Sequence, residues 1–150
     1  MKIEEGFWDS SAIVPLCLPQ ATTSVVRGLL NKHPRVVVWW GVTVEANGAF
    51  ARLMREGKMT AEQLKAAVAR LTVLRETWTE VLPSEQLREL AETLPVRYSL
   101  RAGDALQLAA ALIWSDQPSR GHAFCLLRSA LSKGGGRDRV SGPGLIAESF

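Results

Sequence analysis

The chain has 150 residues, a net charge of +3 and a pI near 9.2, with 47% hydrophobic and 22% charged residues. That is long enough for one domain with a real core, and ordinary for a globular protein rather than a disordered or fibrous one. The small basic excess fits a polyanion partner without demanding one. No apolar run reaches the roughly 18 residues of a membrane span. Glu4 and Glu5 stand where a signal peptide would be basic and then apolar, so a cytoplasmic protein is expected. Cys17 and Cys125 sit among apolar residues and read as buried thiols of a reducing compartment. His33 and His122 are isolated and expected at the surface, which argues against zinc.

In chain order, Lys2 to Trp8 reads as a strand ending at Asp9. Ser10 or Ser11 is expected to cap a short helix through Leu18, with Pro15 close to its start. Thr22 to Lys32 is amphipathic, with Val25, Val26, Leu29 and Leu30 turned inward. Arg35 to Trp40 is a β-branched and aromatic run, suited to a strand buried on both faces of a parallel sheet. A helix opens near Thr43 and stops at Gly57. Thr60 to Gln63 has the form of a capping box. The helix behind it runs to about Glu76, with Leu64, Ala67, Val68, Leu71 and Leu74 inward. Trp78 to Leu82 is a short strand. Ser84 caps a short helix through Leu87 and Leu90, followed by a loop holding Pro95. Ser99 is expected to cap a helix to Trp114, with Ala105, Leu106, Ala109, Leu112 and Ile113 buried. Ala123 to Leu127 is the last strand. Strands thus alternate with helices, which predicts an α/β fold with a central, mostly parallel sheet.

Three acids hold special positions. Asp9 closes the first strand, Glu45 lies in the first turn after the second, and Asp104 lies at the edge of an apolar helix face. In open α/β sheets, sites form at the carboxyl ends of the strands. Each acid has a plainer account: Asp9 as a helix cap, Glu45 as an acid at a helix start, Asp104 as an ion pair with Arg101. A carboxylate cluster without His or Cys is a hard-oxygen set, suited to Mg2+ or Mn2+ and to phosphoryl chemistry.

The stretch Phe7-Trp8-Asp9-Ser10-Ser11-Ala12 resembles the opening of PIN-domain ribonucleases, above all the VapC-type toxins of toxin–antitoxin systems. Thr43-Val44-Glu45 resembles their second acidic motif. Leu100 to Ala111, around Asp104, resembles the third and is the most specific. The likeness spans residues 1 to about 127, a PIN-like domain. It implies that Asp9, Glu45 and Asp104 bind Mg2+ or Mn2+, and that the metal activates water to cleave an RNA phosphodiester. Ser10 or Thr43 would support that shell. It further implies a homodimer held inactive by a small cognate antitoxin protein.

The pattern breaks after residue 127. The family places a fourth acid there, followed by an Ala-rich helix and a strand, but no acid occurs between Gln117 and Arg137. Residues 128–150 form an atypical Gly-rich C-terminal tail, with Gly134-Gly135-Gly136 at its centre and little periodicity. Codon degeneracy permits Leu126 to Val140, read one base later, to encode S-C-D-Q-R-F-R-K-A-A-G-A-T-G-F, which restores the acid and the helix. The tail therefore reads as a frameshift product, a reading that the DNA around Leu126 tests. Asp116 and Asp138 are weak stand-ins for the missing acid. A second function follows from its loss: a catalytically impaired PIN domain serving as an antitoxin-binding or dimerisation module. A third, a phosphate- or nucleotide-binding α/β protein, lacks a Gly-rich loop after a strand. The tryptophans Trp8, Trp39, Trp40, Trp78 and Trp114 are assigned mainly to core packing, and Lys32, Arg35, Arg97 and Arg101 to a solvated basic surface.

Overall fold

The computed structural model describes residues 5–116, 122–127 and 145–146, the last two stretches as backbone only. The elements are β1 (Glu5–Trp8), α1 (Ser10–Cys17), α2 (Thr23–Lys32), β2 (Arg35–Trp39), α3 (Val42–Arg55), α4 (Ala61–Arg75), β3 (Thr79–Val81), α5 (Glu85–Tyr98), α6 (Ala102–Ser115), β4 (His122–Leu127) and β5 (Leu145–Ile146). The sheet order is β3-β2-β1-β4-β5. The pairs β3–β2, β2–β1 and β1–β4 are parallel, and β5 runs antiparallel to β4. The α/β fold with a mostly parallel central sheet is the one the alternating pattern predicts. The sequence reading named no element at β5. The position of the expected fourth acid beyond β4 and the rest of the Gly-rich tail, with Asp138, lie outside the described residues.

The period-two alternation of the strands divides the core into two layers. Trp8, Val36 and Val38 face one side, where they join α1, α3 and α4 through Ile13, Val42, Ala46, Phe50, Ala67 and Leu71. Phe7, Val37 and Trp39 face the other, against Leu87, Ala91 and Leu94 of α5 and the alanines of α6. The small side chains Ala105, Ala109 and Ala110 let α6 lie close to the sheet, and Trp114 packs on Phe7 with ring centroids 6.1 Å apart. Burying large aromatics on both faces stabilises the sheet by about 25 cal/mol per Å² of apolar surface.

Several local expectations are corrected. The cap of α1 is Asp9, not Ser10 or Ser11, because its carboxylate reaches the Ser11 backbone N–H. The cap position of α6 is Arg101, whose side chain makes no capping bond. Ser99 instead ends α5 in the left-handed region at φ 53°. The helix at Ser84 is not short: Leu87, Ala91 and Leu94 anchor α5 up to Pro95, and it continues through the proline to Tyr98 with Val96 and Tyr98 exposed. Pro15 likewise lies inside α1, as its sixth residue. The buried face of α6 is rotated from the expected one. Gln107, Ala110, Ala111 and Trp114 are inside, and Leu112 is exposed. Val25 and Val68 point outward, on the solvent flanks of α2 and α4. His33 is buried rather than at the surface, because it ends α2 (its N–H bonds Leu29 O) and the chain then turns directly into β2. The capping box at Thr60 and Gln63 is present with both bonds. Cys17 is buried as expected, and burial pushes its thiol up to about 11.

Candidate active site

The fold brings the starts of three helices to one edge of the sheet. Asp9 follows β1 and caps α1. Glu45 lies in the first turn of α3, where its backbone N–H bonds Gly41 O at 3.2 Å, just past β2. Asp104 lies in the first turn of α6. The parallel pairing of β1 and β2 puts Asp9 and the α3 start at the same carboxyl edge. Each carboxylate therefore faces the positive end of a helix dipole.

Glu45 is the point where the elements meet. Ser10 Oγ donates to Glu45 Oε2 at 3.1 Å from α1, and Gln107 Nε2 donates to the same oxygen at 3.0 Å from α6. The Glu45 carboxyl carbon stands 4.0 Å from where a Cβ on Gly103 would be, so the side chain lies along the first turn of α6. Asp9 Oδ2 accepts from the Ser11 backbone N–H at 3.2 Å and from Ser11 Oγ.

The electrostatics follow from this crowding. Burial pushes the Asp9 carboxyl up, against hydrogen bonds from Ser11 that pull it down, and the charge of Asp104 adds to the rise. Burial also pushes Glu45 up, against the bonds from Gln107 and Ser10, with Asp9 and Asp104 adding like charge. No lysine or arginine among the described residues pairs with any of the three acids; the ion pair of Arg101 with Asp104 does not form. Three half-buried carboxylates that repel one another and lack a cation partner are a donor set for a hard divalent ion. The side chains present fit such an ion by chemistry. Among the described residues, no three acid, histidine or cysteine side chains close around one point.

The structure thus places together Asp9, Glu45 and Asp104, with Ser10 bonded to the second. The side chain of Thr43 makes no hydrogen bond among the described residues, although its carbonyl accepts from Asn47. Asp116 ends α6, far along the helix from Asp104. Arg35 pairs with Glu5 at 3.9 Å, away from this edge. Sequence reasoning missed Gln107. Its signal was a lone amide in an Ala- and Leu-rich helix, three residues after Asp104 and on a neighbouring helix position. Of the tryptophans, Trp8, Trp39 and Trp114 are core, Trp78 is half-buried and Trp40 is 48% exposed.

No protein-family model matches the chain, and no curated protein matches it by sequence. Solved structures do. A toxin–antitoxin complex from Klebsiella pneumoniae superposes with a TM-score of 0.60 at 14% identity, over 87% of this chain and 92% of that one. VapC20 of Mycobacterium tuberculosis, a sarcin–ricin loop cleaving toxin, superposes with a TM-score of 0.57 at 22% identity, over 75% and 85%. The fold is the PIN-like fold of VapC toxins. In that VapC-type fold, Asp9, Glu45 and Asp104 lie at the edge where the parallel strands end.

Proposed function

We propose that this chain is a metal-dependent endoribonuclease, the toxin of a type II toxin–antitoxin pair. The observation that carries the reading is the convergence of Asp9, Glu45 and Asp104, unpaired with any described cation, at the starts of α1, α3 and α6. The VapC-type fold supports it, since one similar structure is an RNA-cleaving toxin and another a toxin–antitoxin complex. The three carboxylates would hold Mg2+ or Mn2+, and the bound ion would supply an activated water and a counter-charge for the phosphodiester. The protein's own part is to orient the acids and to offset some of the cost of burying their charge. Ser10 and Gln107 favour the charged form of Glu45, and the Ser11 N–H does the same for Asp9.

The partners in this reading are RNA, a small cognate antitoxin protein and a second copy of the chain, in the cytoplasm. No helix among the described residues is long and apolar enough to cross a membrane.

One observation favours a second reading. The sequence has no acid between Gln117 and Arg137, where the resemblance calls for a fourth. A set of three acids binds a divalent ion less tightly than four. An inactive module that binds antitoxin or dimerises would keep the fold and lose the chemistry.

Cleavage of a mixed RNA by the purified protein separates the two. The nuclease reading expects cleavage with Mn2+ or Mg2+, none with EDTA, and none from Asp104→Asn. Folded protein that leaves the RNA intact with either metal overturns it in favour of the inactive module.

A further inference from the structure

The two oxygens of Glu45 are in different situations. Oε2 accepts from both Ser10 Oγ and Gln107 Nε2, whereas Oε1 accepts no side-chain bond among the described residues. Gln107 is 3% exposed, and its own Oε1 is buried without a hydrogen-bond partner among the described residues. Burying a primary amide in an Ala- and Leu-rich layer costs stability, and one unmet acceptor adds to that cost. An apolar residue would fill the place more cheaply. What the amide contributes is one N–H aimed at one carboxylate oxygen. Its orientation is set as well, because turning the amide over would put oxygen against Glu45 Oε2.

We infer that Gln107 is a positioning residue which, with Ser10, holds Glu45 by Oε2 so that Oε1 alone is presented to the divalent cation. This rests on the metal site proposed above. A carboxylate at the end of a glutamate side chain turns freely about its last bond. Two donors from two helices, α1 and α6, fix both its position and its plane. Donors around a ligating carboxylate characteristically hold it in this way and raise metal affinity. Helix α6 then has two tasks on one turn: Asp104 supplies a ligand, and Gln107 aims the ligand that α3 supplies. A Cβ at Gly103 would stand 4.0 Å from the Glu45 carboxyl carbon, an ordinary contact, so the carboxyl runs beside the first turn of α6.

The test is Mn2+ binding to the full chain, read as free Mn2+ by electron paramagnetic resonance, with no RNA present. Gln107→Met keeps the volume and removes the donor. It should weaken Mn2+ binding by about 10- to 100-fold. In a Glu45→Gln background the same change should alter binding less than about twofold, because the carboxylate it orients is gone. Ser10→Ala removes the other donor at a half-buried position and should weaken binding in the same direction, so the inference stays testable if Gln107→Met does not fold. RNA cleavage should then lose affinity for metal and recover at higher Mn2+. Wild-type affinity in Gln107→Met and Ser10→Ala, or an equal loss with and without Glu45, overturns the inference and leaves the metal site standing. Absence of Mn2+ binding by the wild-type chain overturns the metal site, and the positioning role with it.

Discussion

Gly41 lies against the indole of Trp39 so closely that a Cβ at Gly41 would overlap Trp39 Nε1. The backbone at Gly41 is ordinary (φ −76°), so the need for glycine here is space and not conformation. Trp39 is 6% exposed and anchors the layer that holds α5 and α6, while Gly41 O receives the Glu45 N–H. Gly41→Ala should therefore displace either the indole or the first turn of α3. The expected cost is about 1–3 kcal/mol, the range for overpacking a filled site. That is a fall in Tm of several degrees at this chain length. An unchanged Tm would show that the indole can move aside without loss.

Ser99 adopts the left-handed region at φ 53°, where a Cβ is unfavourable, and it joins α5 to α6. Ser99→Gly should raise stability by roughly 0.5 kcal/mol, since relief of strain outweighs the added freedom of the unfolded chain. Ser99→Val should lower it by about 1 kcal/mol or more. Chemical denaturation of the pair measures both signs. Equal stability of the two variants would mean that the joint relaxes to another conformation.

Much of the fold was legible because its signals are local. The run Val36-Val37-Val38-Trp39 has no polar break, so it marks a strand covered on both faces, and the Thr60–Gln63 box marks the start of α4. The edge where Asp9 and Glu45 lie follows from strand order and parallel pairing. What failed were decisions made by tertiary contact. Pro95 looks like a stop, yet α5, anchored through Leu87, Ala91 and Leu94, runs past it to Tyr98 with its last residues exposed. Ser99 looks like a cap by type, but the chain needs a sharp joint there and spends Ser99 on it. Gln107 carries no motif, and its role exists only because α3 places Glu45 beside it across 62 residues of sequence. The rotated burial of α6 has the same origin, since the sheet and Trp114 fix which side faces in.

Stability of the metal-free chain should fall as pH rises through the acid range. Burial lifts Asp9 and Glu45 above their ordinary values of 3.8 and 4.5, so the fold prefers them protonated. A group raised in this way contributes stability that is complete below its unfolded pKa and is lost as pH rises through the folded one. With EDTA present, Tm should therefore decline from the ordinary carboxylate range upward to the raised values. Asp104→Asn removes a like charge from both neighbours and should stabilise the metal-free chain at neutral pH by ~0.5 kcal/mol. Saturating Mn2+ should reverse the order, stabilising the wild type more than the variant. A wild type whose Tm rises steadily with pH under EDTA would contradict the burial account.

Asp9 has a structural role that its proposed chemistry does not need, and two variants separate them. As the cap of α1 it accepts from the Ser11 N–H at 3.2 Å through Oδ2. Asp9→Asn keeps a side-chain oxygen for that bond and removes the charge that burial disfavours. Its stability without metal should equal or exceed the wild type's. Asp9→Ala loses the cap and should cost about 1 kcal/mol. Both remove a ligand, so both should reduce metal-dependent RNA cleavage on the order of 100-fold or more. Cleavage retained by Asp9→Asn and lost by Asp9→Ala would make Asp9 a cap alone. The hard-oxygen site would then have to be built from Glu45 and Asp104 without it.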